Sequence, residues 1–92
     1  MKVKEVVKSA IEHVNDLFNE ENISNVGLEE VEFNSEIGEW KVTVGFSRPW
    51  DYPQGALAVM AGNSGVKRTY KIVIVNEENG EVISIKNRPV SD

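Results

Sequence analysis

The stretch VKEVVKSAIEHVNDLF, residues 3–18, decides the architecture. Its apolar residues fall at Val3, Val6, Val7, Ala10, Ile11, Val14, Leu17 and Phe18, the three-and-four spacing of one helical stripe. The other side carries Lys4, Lys8, Glu12, Asn15, Asp16 and Asn19, so the helix is half-buried and needs a surface to lie on. Residues 19–25 then lose the periodicity and gather Asn, Ser and Glu, which favour caps and turns. A helix over about residues 2–20 is expected.

The surface that receives this stripe reads as strands, over about 26–34, 39–48, 67–76 and 81–88. Trp40, Val42, Val44 and Phe46 alternate with Lys41, Thr43, Gly45 and Ser47, which predicts one buried and one wet face. Val26 and Leu28 have the opposite parity to Val31 and Phe33, so a bulge near Glu29 and Glu30 is expected. The Asn79-Gly80 pair predicts a two-residue hairpin turn in which Glu78 faces Glu81, Ile74 faces Ile85, Val73 faces Lys86 and Lys71 faces Arg88. In that register Tyr70, Ile72, Ile74, Ile83 and Ile85 continue the inner face. Thr69, Lys71, Val73, Ser84, Lys86 and Arg88 join Lys41, Thr43 and Ser47 on the outer one.

The expected fold is α+β: one N-terminal amphipathic helix packed on a four-stranded antiparallel meander, in a single domain over residues 1–92. Residues 49–66 form a connection of unusual length for so small a domain, and such connections tend to carry function or a hidden element.

Ninety-two residues suffice for one compact domain with a modest core. With no cysteine the chain has no disulfide scaffold, thiolate nucleophile or Cys-type metal site, which fits a reducing compartment, and a cytoplasmic location is expected. Residues 1–8 carry lysines without a following apolar run, so no leader is expected, and no stretch approaches the roughly 18 to 20 apolar residues of a membrane span. Fifteen acidic against ten basic residues give a net charge of −5, which argues against general nucleic-acid binding.

Catalytic signals are sparse. His13 is the single histidine, and it falls at the edge of the helical stripe without a nucleophile or metal partner in sequence. Gly62-Asn63-Ser64-Gly65 lacks the lysine spacing of a phosphate loop, and Asn76 to Glu81 is too short for a calcium loop. No cofactor and no metal are expected, and the chain reads as a non-enzyme.

Two surfaces are candidates for binding. Arg48, Trp50, Asp51 and Tyr52 lie in a proline-stiffened run rich in residue types found at interface hot spots. The competing reading folds Trp50 over the open end of the core and pairs Arg48 with Asp51. Lys41, Lys71, Lys86 and Arg88 would form a basic patch on the outer sheet face, either for an anionic partner or as edge protection.

The third and fourth strands, Tyr70 to Val75 and Gly80 to Ile85, resemble the final strands of small helix-plus-meander units of the PepSY and cystatin-like type. The run Gly45-Phe46-Ser47-Arg48-Pro49-Trp50-Asp51 is similar to a segment of an uncharacterised bacterial family. The resemblance implies a binding, inhibitory or regulatory unit without catalytic residues. Pro49-Trp50 is similar to the Pro-Trp hairpin of cystatin protease inhibitors, but it lies in a different loop and the glutamine-containing inhibitory loop is absent, so cysteine-protease inhibition is not expected.

The expected function is a non-enzymatic protein-binding or regulatory module. The alternative is a small acidic immunity or antitoxin-like protein that neutralises a basic toxin or nuclease through electrostatic steering. An open sheet edge, with Val73 and Val75 on the outer face, also admits a homodimer.

Overall fold

The computed structural model describes residues 2–49 and 68–88. Helix α1 spans Val3–Leu17, a 3₁₀ turn spans Asn19–Glu21, and four strands follow: β1 Ser24–Asn34, β2 Glu39–Ser47, β3 Thr69–Asn76 and β4 Val82–Asn87. The strands form one antiparallel sheet in the order β1-β2-β3-β4, and α1 crosses one face of it, touching all four. The expected α+β meander is the fold observed.

The helix starts without a side-chain cap, its first turn closed by the amides of Glu5 and Val6 on the Lys2 carbonyl. It stops at Leu17, the Phe18 amide closing its last turn on the Val14 carbonyl, and the 3₁₀ turn that follows ends at Asn22 in the left-handed conformation, φ 53°, a region that asparagine tolerates better than most residues. No basic residue stands in its last turn, yet cations reach that end from the sheet. Arg48 and Lys71 both lie over the Phe18 ring, where positive charge also complements the helix dipole.

The core comprises Val6, Ala10 and Val14 of α1 against Val42, Val44, Phe46, Val73 and Val75. The phase expected of β2 holds on this side, because Val42, Val44 and Phe46 all face the helix. The other side is not wet at its centre: Thr43 is 5% exposed and Ser47 is fully buried. Thr43 is flanked across the ladder by Glu30 and Ile72, so neighbouring side chains crowd it on both sides. At Gly45 the ion pair of Arg68 with Glu29, 3.0 Å apart, runs over the strand; an added Cβ would come within 2.7 Å of the Arg68 guanidinium.

The faces of β3 are the reverse of those expected. Val42 pairs with Val73 and Trp40 with Val75, so the valines face the helix, whereas Tyr70, Ile72 and Ile74 take the outer face. Thr69 and Lys71 move to the helix side with them. In β4, Ile85 packs on the core opposite Val73, while Ile83 is 51% exposed because an irregularity brings Val82 opposite Val75.

The turn that follows β3 is longer than expected, and it matches this phase. Asn76 Oδ1 accepts the amides of Glu78 and Asn79, its carbonyl accepts the Gly80 amide at 2.8 Å, and Gly80 sits at φ 71°. The side chain of Asn76 thereby draws four residues, Glu77 to Gly80, into the loop, where the Asn79-Gly80 signal implied two. Lys71 therefore pairs with Asn87 instead of Arg88, and Ile74 with Ser84 instead of Ile85. The β1–β2 turn has the same construction: Asn34 Oδ1 accepts from Glu36, the Gly38 amide donates to the Asn34 carbonyl, and Gly38 sits at φ 66°. Both turns read Asn-x-Glu-x-Gly-Glu, at residues 34–39 and 76–81.

In β1 the expected bulge is present between Leu28 and Glu30, and a second irregularity lies between Ser24 and Gly27, where Asn25 sits at φ 54°.

Candidate functional site

The helical stripe resolves into two rows. Val6, Ala10 and Val14 are buried on the sheet, whereas Val3, Val7 and Ile11 form a parallel row that the sheet covers only in part. This second row faces Leu28 of β1 across an apolar groove of about 490 Å³, which Lys4, Lys8 and Glu12 also line. Val3 is 45% exposed and Leu28 44%, large values for aliphatic side chains with hydrophobic neighbours beside them.

The groove lies along an edge. Among the described residues β1 has β2 on one side and no strand on the other. The bulges disturb its first half, but from Glu30 to Asn34 the pairing with β2 is regular. Along that half Val31 and Phe33 lie on the helix side, across the ladder from Val42 and Trp40, while Glu30 and Glu32 lie on the other. Glu30 is exposed and has no ion pair among the described residues; Glu32 lies 3.8 Å from the Lys41 ammonium.

At the far end of β1 the Phe33 and Trp40 rings pack with centroids 4.8 Å apart, and the Trp40 indole donates to Glu77. A second cavity, about 500 Å³, opens here among Phe33, Trp40, Ile37, Glu32, Glu36 and Glu39. The β1 edge therefore has an apolar groove at one end, an aromatic pair at the other and two carboxylates on its reverse face. Nothing in that set of groups is a nucleophile with a base, and among the described residues no cluster of His, Asp and Glu could hold a metal ion.

Of the candidate binding run, Trp50, Asp51 and Tyr52 fall outside the described residues, as does the long connection from residue 50 onward. Arg48 is described and is engaged within the chain. Its guanidinium pairs with Glu21, donates to Thr69 Oγ1 at 3.1 Å and lies 5.2 Å from the Phe46 ring centroid. The side chain is 18% exposed. It ties the end of β2 to the turn after α1, and the Phe18 and Phe46 rings, 5.3 Å apart, form the floor beneath it.

The four basic residues expected on one outer patch are not together. Lys71 lies on the helix side, where its ammonium reaches Asn87 and the Phe18 ring. Lys41 is separated from Lys86 by the apolar β3 residues between them and is drawn towards Glu32. Arg88 stacks over Tyr70 at 5.1 Å. Lys71 leaves the outer side because the β2–β3 pairing sets it opposite Val44, on the helix face, and Ile72 opposite Thr43. His13 is exposed on α1, away from the buried row.

Comparison with family models, with curated proteins and with solved structures returns no match to this chain. No helix among the described residues is long and apolar enough to cross a membrane.

Eight apolar residues on one helix read as a single stripe bound for one core, and a single stripe implies no groove. The signal was there in their number: a narrow row of three, spaced by four, seats the helix, and a second row at the same spacing is more than the sheet needs.

Proposed function

We propose that this chain is a non-enzymatic protein-binding or regulatory module that engages its partner along the β1 edge and the adjoining groove. The observation that carries this reading is the apolar row of Val3, Val7 and Ile11 facing the exposed Leu28 beside a strand edge with no neighbour among the described residues. Apolar surface of this kind, rimmed by charge, is what protein interfaces bury at their centres.

The test is partner capture by the native chain against the Val7→Lys/Leu28→Lys double variant. Both positions are at least partly open, so the variant is expected to melt close to the parent. Loss of the captured partner with the fold intact is the expected outcome. An unchanged set of partners overturns the reading.

A second reading has its own support. Glu29, Glu30, Glu32, Glu36 and Glu39 crowd β1 and its hairpin in a chain of net charge −5, which suits a basic partner of the kind an immunity or antitoxin-like protein neutralises. The two readings share a surface and differ in the partner's charge.

A further inference from the structure

We infer that β1 accepts an extended segment of its partner as an added strand, and that this segment alternates apolar with basic residues. The inference rests on the protein-binding reading above and names the chemistry that the same edge would recognise.

Strand addition draws affinity from main-chain hydrogen bonds to an open edge and specificity from the side chains that alternate between its two faces. The edge here offers different chemistry on each face. Towards the helix an added strand would meet Leu28, Val31 and Phe33, with the groove beyond Leu28 able to take a branched aliphatic side chain. Towards the opposite face it would meet Glu30 and Glu32, and cross-strand pairs of opposite charge are the favourable ones there. From Glu30 to Asn34, past the bulge, the regular edge is about 14 Å long, enough for four or five residues of partner at roughly 3.4 Å each, and a further residue of the partner would reach Leu28 only across the bulge.

The two carboxylates also decide against a simpler occupant. A second copy pairing β1 with β1 antiparallel about Val31 would set Glu30 of each chain opposite Glu32 of the other, like charges in direct cross-strand contact. The residues that make the edge unsuited to its own copy are those that suit it to a basic strand, which is how edge charges commonly serve natural sheets.

The experiment uses three synthetic peptides of about nine residues: one alternating lysine and valine, one alternating glutamate and valine, and a lysine–valine isomer interrupted by proline. Binding is followed on the amide resonances of the full chain and by hydrogen exchange. The alternating lysine–valine peptide is expected to shift the amides of residues 28–34 and to slow exchange along the β1 edge, with an affinity that falls as salt rises. Glu30→Lys/Glu32→Lys, at two exposed positions, is expected to weaken that peptide about tenfold and to let the glutamate–valine peptide bind. Shifts scattered away from residues 28–34, or equal binding of the proline-interrupted isomer, overturn strand addition. If the peptides fail while Val7→Lys/Leu28→Lys still loses its protein partner, the strand mode falls and the protein-binding reading stands. If that double variant keeps its partners as well, both fall.

Discussion

Val44 and Thr43 are adjacent in β2 and point to opposite faces, and both are buried, at 0% and 5% exposure. An aspartate at Val44 would enter the apolar core between α1 and the sheet with no group to pair it, at a cost of several kcal/mol, comparable to the whole margin of a small domain. Thr43→Asp, which an alternating strand with a wet face would tolerate, is expected to cost about 1–3 kcal/mol, because it adds a carboxylate opposite Glu30 and against Ile72. Denaturant melts of the two variants check this: a silent Thr43→Asp would mean that the second face is open after all. The helix side of β2 is legible in the sequence because only one parity of that strand is apolar. In β3 both parities are: Tyr70, Ile72 and Ile74 interleave with Val73 and Val75. A strand apolar on both faces carries no alternation to read, so its phase came from the turn, and the turn misled.

That turn shows how a local signal and a global one compete. Asn79-Gly80 favours a two-residue loop, but Asn76 three residues earlier offers a side-chain acceptor to two loop amides, and the longer loop forms. Pairing with β2 fixes Val73 and Val75 on the core, and the longer loop lets β4 follow with Ile85 on the same side, where a slip of one residue would turn Ile85 outward. Asn76→Ala is therefore expected to cost about 1 kcal/mol for the lost acceptor and to leave the register unchanged. Melting gives the cost, and cross-strand contacts between Val73 and Ile85 report the register; contacts of Val73 with Lys86 instead would show that the turn, not the core, governs it. The helix, the number and order of strands, and the bulge in β1 were legible in the sequence, since each rests on a period or a break in one. The groove was not, because its two walls, on α1 and β1, are brought together by packing that no local pattern encodes.

Across the whole molecule the two Asn-x-Glu-x-Gly-Glu turns stand side by side, the Glu77 amide donating to the Gly38 carbonyl at 3.0 Å. They gather Glu36, Glu39, Glu77, Glu78 and Glu81 at one end of the sheet, while Lys4, Lys8 and Glu12 lie along the groove on the helix. Among the described residues the carboxylates are thus unevenly spread, a distribution that would orient a basic partner before contact. The second of these turns, which carries Asn79-Gly80, gives the protein a chemical clock. An Asn-Gly bond ages when the glycine nitrogen attacks the asparagine side-chain carbon and expels ammonia, and hydrolysis of the resulting ring leaves an aspartyl or isoaspartyl residue with one more negative charge. At Asn79-Gly80 both reacting groups are occupied: the Gly80 amide donates to the Asn76 carbonyl, and Asn79 Oδ1 accepts from the Glu81 amide at 2.9 Å. Ageing there must await opening of the turn, so deamidation at Asn79, followed by peptide mass spectrometry, is expected to be slow in the folded chain and to quicken in denaturant. Equal rates would show that the hydrogen bonds give no protection. Each turnover of that clock would place a further negative charge at the end of the sheet already richest in carboxylates, so an old preparation of this protein would attract a cationic partner differently from a fresh one.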